Sequence, residues 1–183
     1  MLTQIIIFII FSVFFVIFSW RSLKNPQCHG FYRFFAFEGI LILLLINYPY
    51  WTKQLERPQQ WLSWCLLTTS IFFVIQGFYL LKRKGGKRLK KIKTENLDFE
   101  NTQNLITEGI YHYIRHPMYG SLILLTWGAV LKNMTFLTIG LSLIITFFML
   151  ITAIIEEQEN KQFFGDSYNF YCQKSKRFIP FIF

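Results

Sequence analysis

Charge is scarce in this chain. Only 16% of its 183 residues are Asp, Glu, Lys or Arg, against about 25% in a typical soluble domain. The apolar content is correspondingly high, at 53% hydrophobic and 20% aromatic. A disordered polymer is excluded, because such chains are poor in aromatics. An ordinary soluble domain of this length is excluded too, because it could not hide 22 phenylalanines from water. Cysteine is also rare: Cys28, Cys65 and Cys172 form no CxxC pair, which argues against a disulfide framework and against a zinc site. The histidines His29, His112 and His116 show no HExxH spacing, so no tightly bound metal is expected. No basic stretch precedes the first apolar segment and no small-x-small cleavage site follows it. That segment therefore reads as a retained span rather than a secretory signal.

What the chain has is five apolar segments, at residues 2–20, 34–51, 61–81, 119–131 and 135–155. A helix that crosses a bilayer needs about 20 apolar residues. The sequence therefore predicts an all-α, polytopic membrane bundle of about five transmembrane helices. The fourth segment is short, so it must tilt into a protein-lined cavity or borrow from its flanks. Only Lys132, Asn133 and Met134 separate the last two segments, which predicts a tight helical hairpin. With the N-terminus outside, sixteen of the nineteen basic residues fall on the inner side, and only Lys53, Arg57 and Lys132 lie outside. That asymmetry sets the C-terminus in the cytoplasm, and a prokaryotic inner membrane is the expected location. The basic run at 82–93 has no interleaved aromatics and abuts a span. It is read as contacting anionic membrane lipids rather than nucleic acid. Glu38 is the one acid within a span, and Thr68, Thr69 and Gln76 are expected to serve helix packing.

Chemistry concentrates in two clusters. The first is Leu-Ile-Thr-Glu-Gly-Ile-Tyr-His-Tyr-Ile-Arg-His-Pro-Met-Tyr-Gly at 105–120. Pro117 lacks a backbone N–H and belongs at the first position of a new helix, which sets Arg115 and His116 at the cytoplasmic mouth of the fourth span. Free N–H groups and partial positive charge there favour an anion. Tyr111, Tyr113 and Tyr119 offer aromatic faces to a flat ring or a cation. An interfacial aromatic belt with a snorkelling arginine is the plainer reading of the same residues. The second cluster, at 154–168, places acids directly after an apolar run. Glu157 has Lys161 four residues on, a favourable helical pair. Glu156 has no cation at helical spacing, so at the hydrocarbon edge it needs one from elsewhere: Arg115, or a cationic ligand. The alternative is an exposed interfacial acid.

Together the clusters resemble the isoprenylcysteine carboxyl methyltransferase family and its relatives among the phospholipid methyltransferases. The resemblance rests on Gly-x-Tyr-x-x-x-Arg-His-Pro-x-Tyr from Gly109 to Tyr119 and the two-span hairpin that follows. It also rests on the Glu-Glu pair with Phe-Phe-Gly-x-x-Tyr between Glu156 and Tyr168, and on Arg-Phe-Ile-Pro from Arg177 to Pro180. It divides the chain into N-terminal spans with the basic loop, 1–95, and a cofactor-binding catalytic half, 96–183. It implies an S-adenosylmethionine-dependent methyltransferase that transfers to a carboxyl or an amine of a lipophilic small-molecule or lipid acceptor. Carried over by position, the cofactor contacts would be Gln103, Asn104, Leu105, Ile106, Tyr111, His116, Pro117, Met118, Tyr119 and Glu156. Catalytic roles would fall to Arg115, Glu156 and Glu157, the acids accepting a proton if the nucleophile is an amine. Members acting on prenylcysteine tend to carry Arg where this chain has Thr152, and eukaryotic members tend to carry His at Gln103. The methyl donor therefore carries over and the prenylcysteine acceptor does not. Two rival readings are an NADPH-dependent membrane sterol-type reductase, which also carries Arg-His-Pro-x-Tyr but often Asn in place of Met118, and a non-enzymatic small membrane protein.

The charge asymmetry makes the first prediction. A reporter fused after Phe183 should signal from the cytoplasmic side. An extracellular signal would contradict the arrangement, because both clusters must face one compartment.

Overall fold

The computed structural model describes residues 2–53, 55–86 and 102–180. Six α-helices organise them: α1 (Leu2–Leu23), α2 (His29–Asn47), α3 (Pro58–Lys84), α4 (Pro117–Val130), α5 (Phe136–Phe164) and α6 (Asp166–Lys174). Among the described residues there is no β-strand, only an isolated parallel bridge between Ile114 and Lys176. The latter part of the basic run, 87–93, and the expected start of the second half at 96–101 lie outside the described residues.

Helices α1, α2, α3 and α5 are long and apolar enough to cross a membrane, so this is an integral membrane helix bundle. The fourth expected span is different. Pro117 sits in the first turn of α4, which ends at Val130 after 14 residues. That is about 21 Å at 1.5 Å per residue, short of the ~30 Å hydrocarbon thickness. The helix does not extend into its flanks. It is instead held within protein, against α3 along one side and against α5 and α2 along others. Helix α5 also packs along α2, and α1 leans on α2. Ile5, Ile9, Phe14 and Ile17 of α1 face outward, as lipid-facing residues do.

Without water as a competitor, packing in a bilayer relies on small residues and interhelical hydrogen bonds. Ser63 Oγ donates to the Gly128 carbonyl at 2.7 Å and Ser70 Oγ to that of Ser121 at 2.8 Å, joining α3 to α4. Asn47 Nδ2 donates to the Ala129 carbonyl at 2.7 Å, joining α2 to α4. Glu38 is the acceptor for Ser12 Oγ at 3.0 Å, a bond between α1 and α2. Thr68 and Thr69, expected to serve packing between helices, instead donate to carbonyls one turn back in α3, at Trp64 and Cys65. Thr68 is exposed and Thr69 half-buried, and a hydroxyl in an apolar setting folds back on its own helix. The core between the helices is built from Leu43, Ile145, Met149, Ala129 and Ala153.

The hairpin between α4 and α5 is tight, as its spacing predicts. Thr135 and Thr138 cap α5 reciprocally: each side-chain oxygen accepts the other's backbone N–H, at 3.2 and 2.9 Å. Lys132 in that turn is buried. Its Nζ lies 3.9 Å from the Trp64 ring centroid and donates to Gln60 Oε1 at 3.1 Å. Burial lowers its pKa, and the indole face offsets part of the lost hydration.

The shortness of α4 shapes the other end. Its first residues meet α3 at Gly77, where an added Cβ would lie 3.2 Å from both Pro117 and Met118. Gly77 precedes the end of α3 by seven residues, so α3 rises about 10 Å above the start of α4. Helix α5 also runs on past this level. The result is a cup whose floor is the N-terminus of α4 and whose walls are the ends of α3 and α5.

Close helix approach generates a stability prediction. A Cβ on Gly39 would lie 2.7 Å from Ile145, whereas nothing stands within 4 Å of Gly140. Gly39→Val should cost about 1–3 kcal/mol by overpacking, while Gly140→Ala should be neutral or slightly stabilising. Thermal unfolding in detergent compares them; equal midpoints would contradict the packing.

Candidate active site

The cup is lined from four sequence regions. Leu81 comes from the end of α3. Thr102, Asn104, Leu105, Ile106, Tyr111, Arg115 and His116 come from the segment before α4. Pro117, Met118 and Tyr119 form the floor. Glu156, Asn160, Phe164, Tyr168 and Tyr171 come from α5 and α6. Of the positions carried over by resemblance, Gln103 is the exception. It is exposed, its backbone N–H is held by the Gly85 carbonyl at 2.8 Å, and it does not line the cavity. Thr102, Asn160, Phe164, Tyr168 and Tyr171 were not singled out as site residues. Only their helical spacing from Glu156 could have pointed to two of them, Asn160 and Phe164.

The segment before α4 holds its shape through local turns and through the tail. Gly109 adopts φ +59°, a conformation that costs glycine little, and a short 3-10 turn over Gly109–His112 follows. The Tyr111 ring packs with Leu80 and Ile106, and its hydroxyl reaches the Gly77 carbonyl at 3.4 Å. The tail then runs beside this segment. Arg115 N–H donates to the Lys176 carbonyl at 2.7 Å, His116 N–H to that of Arg177 at 3.1 Å, and Lys176 N–H to that of Tyr113 at 2.9 Å. Tyr171 Oη adds a bond to the Tyr111 carbonyl at 2.7 Å. His112 and His116 are four residues apart, yet His112 is exposed and His116 buried, because the chain between them is not one continuous α-helix.

Beneath the cavity sits a charge cluster that revises the expected pairing. Glu157 does not depend on Lys161. It accepts from Arg115 Nε at 2.9 Å and from Arg177 through Nε at 3.1 Å and Nη2 at 2.8 Å. His116 Nε2 stands 3.4 Å from the same carboxylate. The expected partner of Glu156, Arg115, is thus held by Glu157. Glu157 is 8% exposed and absent from the cavity lining, so its geometry is that of a positioning residue and not of a proton acceptor open to substrate. Two guanidinium groups against one buried carboxylate supply the hydrogen bonds that a buried charge requires.

Glu156, 24% exposed, faces the cavity 3.8 Å from His116 Nδ1. His116 stacks on Tyr119, with centroids 5.4 Å apart and planes 13° from parallel. Burial raises the pKa of Tyr111, Tyr168 and Tyr171, and the nearby Glu156 carboxylate raises the first two further. All three phenols therefore remain neutral across the physiological range. They present π faces and hydroxyls, one wall of which is acidic.

A second cavity lies on the membrane side of the floor. It has a volume of about 510 Å³ and is lined by apolar residues of α3, α4 and α5, among them Leu66, Phe73, Ile123, Leu124, Trp127 and Leu150. Phe178 closes it toward the cup, with its ring 6.1 Å from that of His116. Gly120, one residue after Tyr119, lines this cavity, so the first turn of α4 separates the two spaces.

Comparison with known proteins bears on what such a pair of cavities serves. A family model described as phospholipid methyltransferase matches residues 58–167. A protein of Oryza sativa subsp. indica named probable protein-S-isoprenylcysteine O-methyltransferase is 32% identical over 149 residues, covering 79% of this chain and 77% of that protein. The protein-S-isoprenylcysteine O-methyltransferase of Schizosaccharomyces pombe is 37% identical over 119 residues, 63% of this chain and 50% of that protein. An Arabidopsis thaliana protein-S-isoprenylcysteine O-methyltransferase B is 31% identical over 84 residues, 45% and 43% of the two chains. No solved structure matches the chain.

The charge cluster yields a double-mutant prediction. Glu157→Gln and Arg177→Ala should each destabilise the protein, and the double variant should lose less than the two losses added. The expected coupling is about 0.5–3 kcal/mol. Denaturant unfolding of the four proteins measures it; additive losses would show that the two residues act separately.

Proposed function

The chain belongs to the phospholipid methyltransferase family and is a membrane methyltransferase, and from that premise we propose that it takes S-adenosylmethionine in the cup and methylates the polar end of a lipophilic acceptor. The observation that carries this reading is the meeting of two unlike cavities at one turn of helix: a polar, aromatic one and an apolar one. The cup, the tail and the basic residues 82–84 lie toward one end of the bundle, which we assign to the cytoplasmic side.

The residues of the cup fit the donor. The partial positive charge at the start of α4 suits its carboxylate. Glu156 suits a positive charge, and the neutral rings of Tyr111, Tyr119, Tyr168 and Tyr171 suit a cation or an adenine. The nucleoside would rest against Leu81, Thr102 and Asn104, which also line the cup.

When bound, S-adenosylmethionine supplies an electrophilic methyl group whose displacement demands an in-line nucleophile. The chain's contribution is chiefly to orient. The apolar cavity seats the acceptor's tail and brings its polar end to the first turn of α4. Arg115, His116 and the tail are fixed by Glu157, so the floor does not shift during the reaction. A carboxylate nucleophile needs no base. An amine must lose a proton, and Glu156 is the carboxylate positioned to accept it. Thr152 is fully buried, with its hydroxyl donated to the Phe148 carbonyl at 2.7 Å, and it offers the acceptor no cation. The names of the relatives specify a prenylated cysteine for those proteins; here we propose the broader class, a lipophile with one polar end.

Two measurements follow. Glu156→Gln should weaken S-adenosylmethionine binding by about 1.5–3 kcal/mol, the value of a charge-assisted contact, with the helical content kept. Unchanged affinity in calorimetry would make Glu156 an interfacial acid only. Leu124→Trp should narrow the apolar cavity, raise the acceptor KM and leave cofactor affinity alone. Labelled methyl transfer to amine- and carboxylate-bearing lipids and to a farnesylated cysteine analogue measures it. Label found only in water-soluble acceptors would contradict the reading.

A further inference from the structure

Apart from the cup, one cluster of metal-ligating side chains stands out among the described residues. Cys28, His29 and Glu159 come together although 130 residues separate the two histidine and glutamate positions. One donor atom from each, a sulfur, a ring nitrogen and a carboxylate oxygen, lies within 4.8 Å of the others. His29 Nδ1 and Glu159 Oε2 are 3.0 Å apart. Cys28 and His29 are each 1% exposed and the Glu159 side chain is 12% exposed. None of the three lines the cup.

The local backbone builds this arrangement. Cys28 caps α2 in an extended conformation, and its N–H is held by the Asn25 carbonyl at 3.0 Å. Residue 30 is glycine, where a Cβ would collide with Ser22 at 2.4 Å. The end of α1 can therefore press against the start of α2, which buries Cys28 and His29 where the last turns of α5 pass. Glu159 arrives from α5 three residues after Glu156.

We propose that Cys28, His29 and Glu159 bind a zinc-class divalent transition metal ion. The donor set argues for that class: a thiolate and an imidazole select zinc and its neighbours over magnesium or calcium, which take oxygen ligands. The spacing is close to that of donors around one tetrahedral ion, so small side-chain movements complete the site. Binding releases the Cys28 thiol proton to solvent, while His29 binds as the neutral imidazole. Three protein donors leave the fourth position to a water molecule. The ion would clamp the α1–α2 turn to α5 beside the methyl-transfer site. Sequence spacing alone does not show this cluster, because the third donor is distant in the chain. The proposal stands independently of the methyl donor and acceptor.

The test uses the full chain, purified in detergent without a histidine tag, stripped with a chelator and titrated with Co(II). The wild type should develop a thiolate-to-cobalt charge-transfer band and the intense visible bands of a tetrahedral site. Cys28→Ser should abolish the charge-transfer band with the helical circular dichroism retained, whereas Cys65→Ser and Cys172→Ser should keep it. Glu159→Gln can still hydrogen-bond to His29, and should weaken zinc binding about 10-fold or more. Elemental analysis should find about one zinc per wild-type chain. The absence of the band in the wild type, or its survival in Cys28→Ser, would overturn the site. Should Cys28→Ser not fold, an unchanged zinc affinity in Glu159→Gln would overturn it equally.

Discussion

Everything around the cup depends on one carboxylate. Glu157 binds Arg115 from the segment before α4 and Arg177 from the tail, with His116 alongside. Two parts of the chain that share no continuous secondary structure, the segment before α4 and the tail, are thereby fixed to α5. A single backbone bridge at Ile114 and Lys176 would be weak alone. With the guanidinium groups anchored on both sides, it forms the lower rim of the cup. Removing one partner from such a buried cluster leaves an uncompensated charge.

The second constraint is the length of α4. A helix of ordinary span length would carry its N-terminus to the membrane surface, and His116, Pro117 and Tyr119 would face bulk water. At 14 residues it stops short, and α3 and α5 stand above it. On the proposed reading, a charged cofactor reaches the floor from one side and a lipid from the other. The shortness is affordable only because serines of α3 and Asn47 of α2 reach its carbonyls, so that its backbone is lined by protein and not by lipid.

Much of this was legible in the sequence. Apolar runs are a one-dimensional signal, so the spans, the tight hairpin at Lys132–Met134 and the helix start at Pro117 could be read directly. So could the cavity-facing position of Glu156, from its lack of a helical cation. What could not be read was pairing across the fold. Glu157 has Lys161 at helical spacing, and nothing local says that Arg177, twenty residues on, would take its place. The tail had to be seen beside residues 113–116 before that competition could be judged. Gln103 does not line the cup for a related reason: position carried over by resemblance does not fix which way a loop side chain turns. Cys28 and His29 carried no motif at all, since their companion lies at the far end of the chain.

The central claim is that the cup recognises an adenosyl sulfonium donor. Equilibrium calorimetry of the purified wild-type protein with S-adenosylhomocysteine, the donor's product, and separately with NADPH tests it most directly. The account predicts saturable binding of S-adenosylhomocysteine at one site per chain and no heat with NADPH. Saturable binding of NADPH with none of S-adenosylhomocysteine would contradict it.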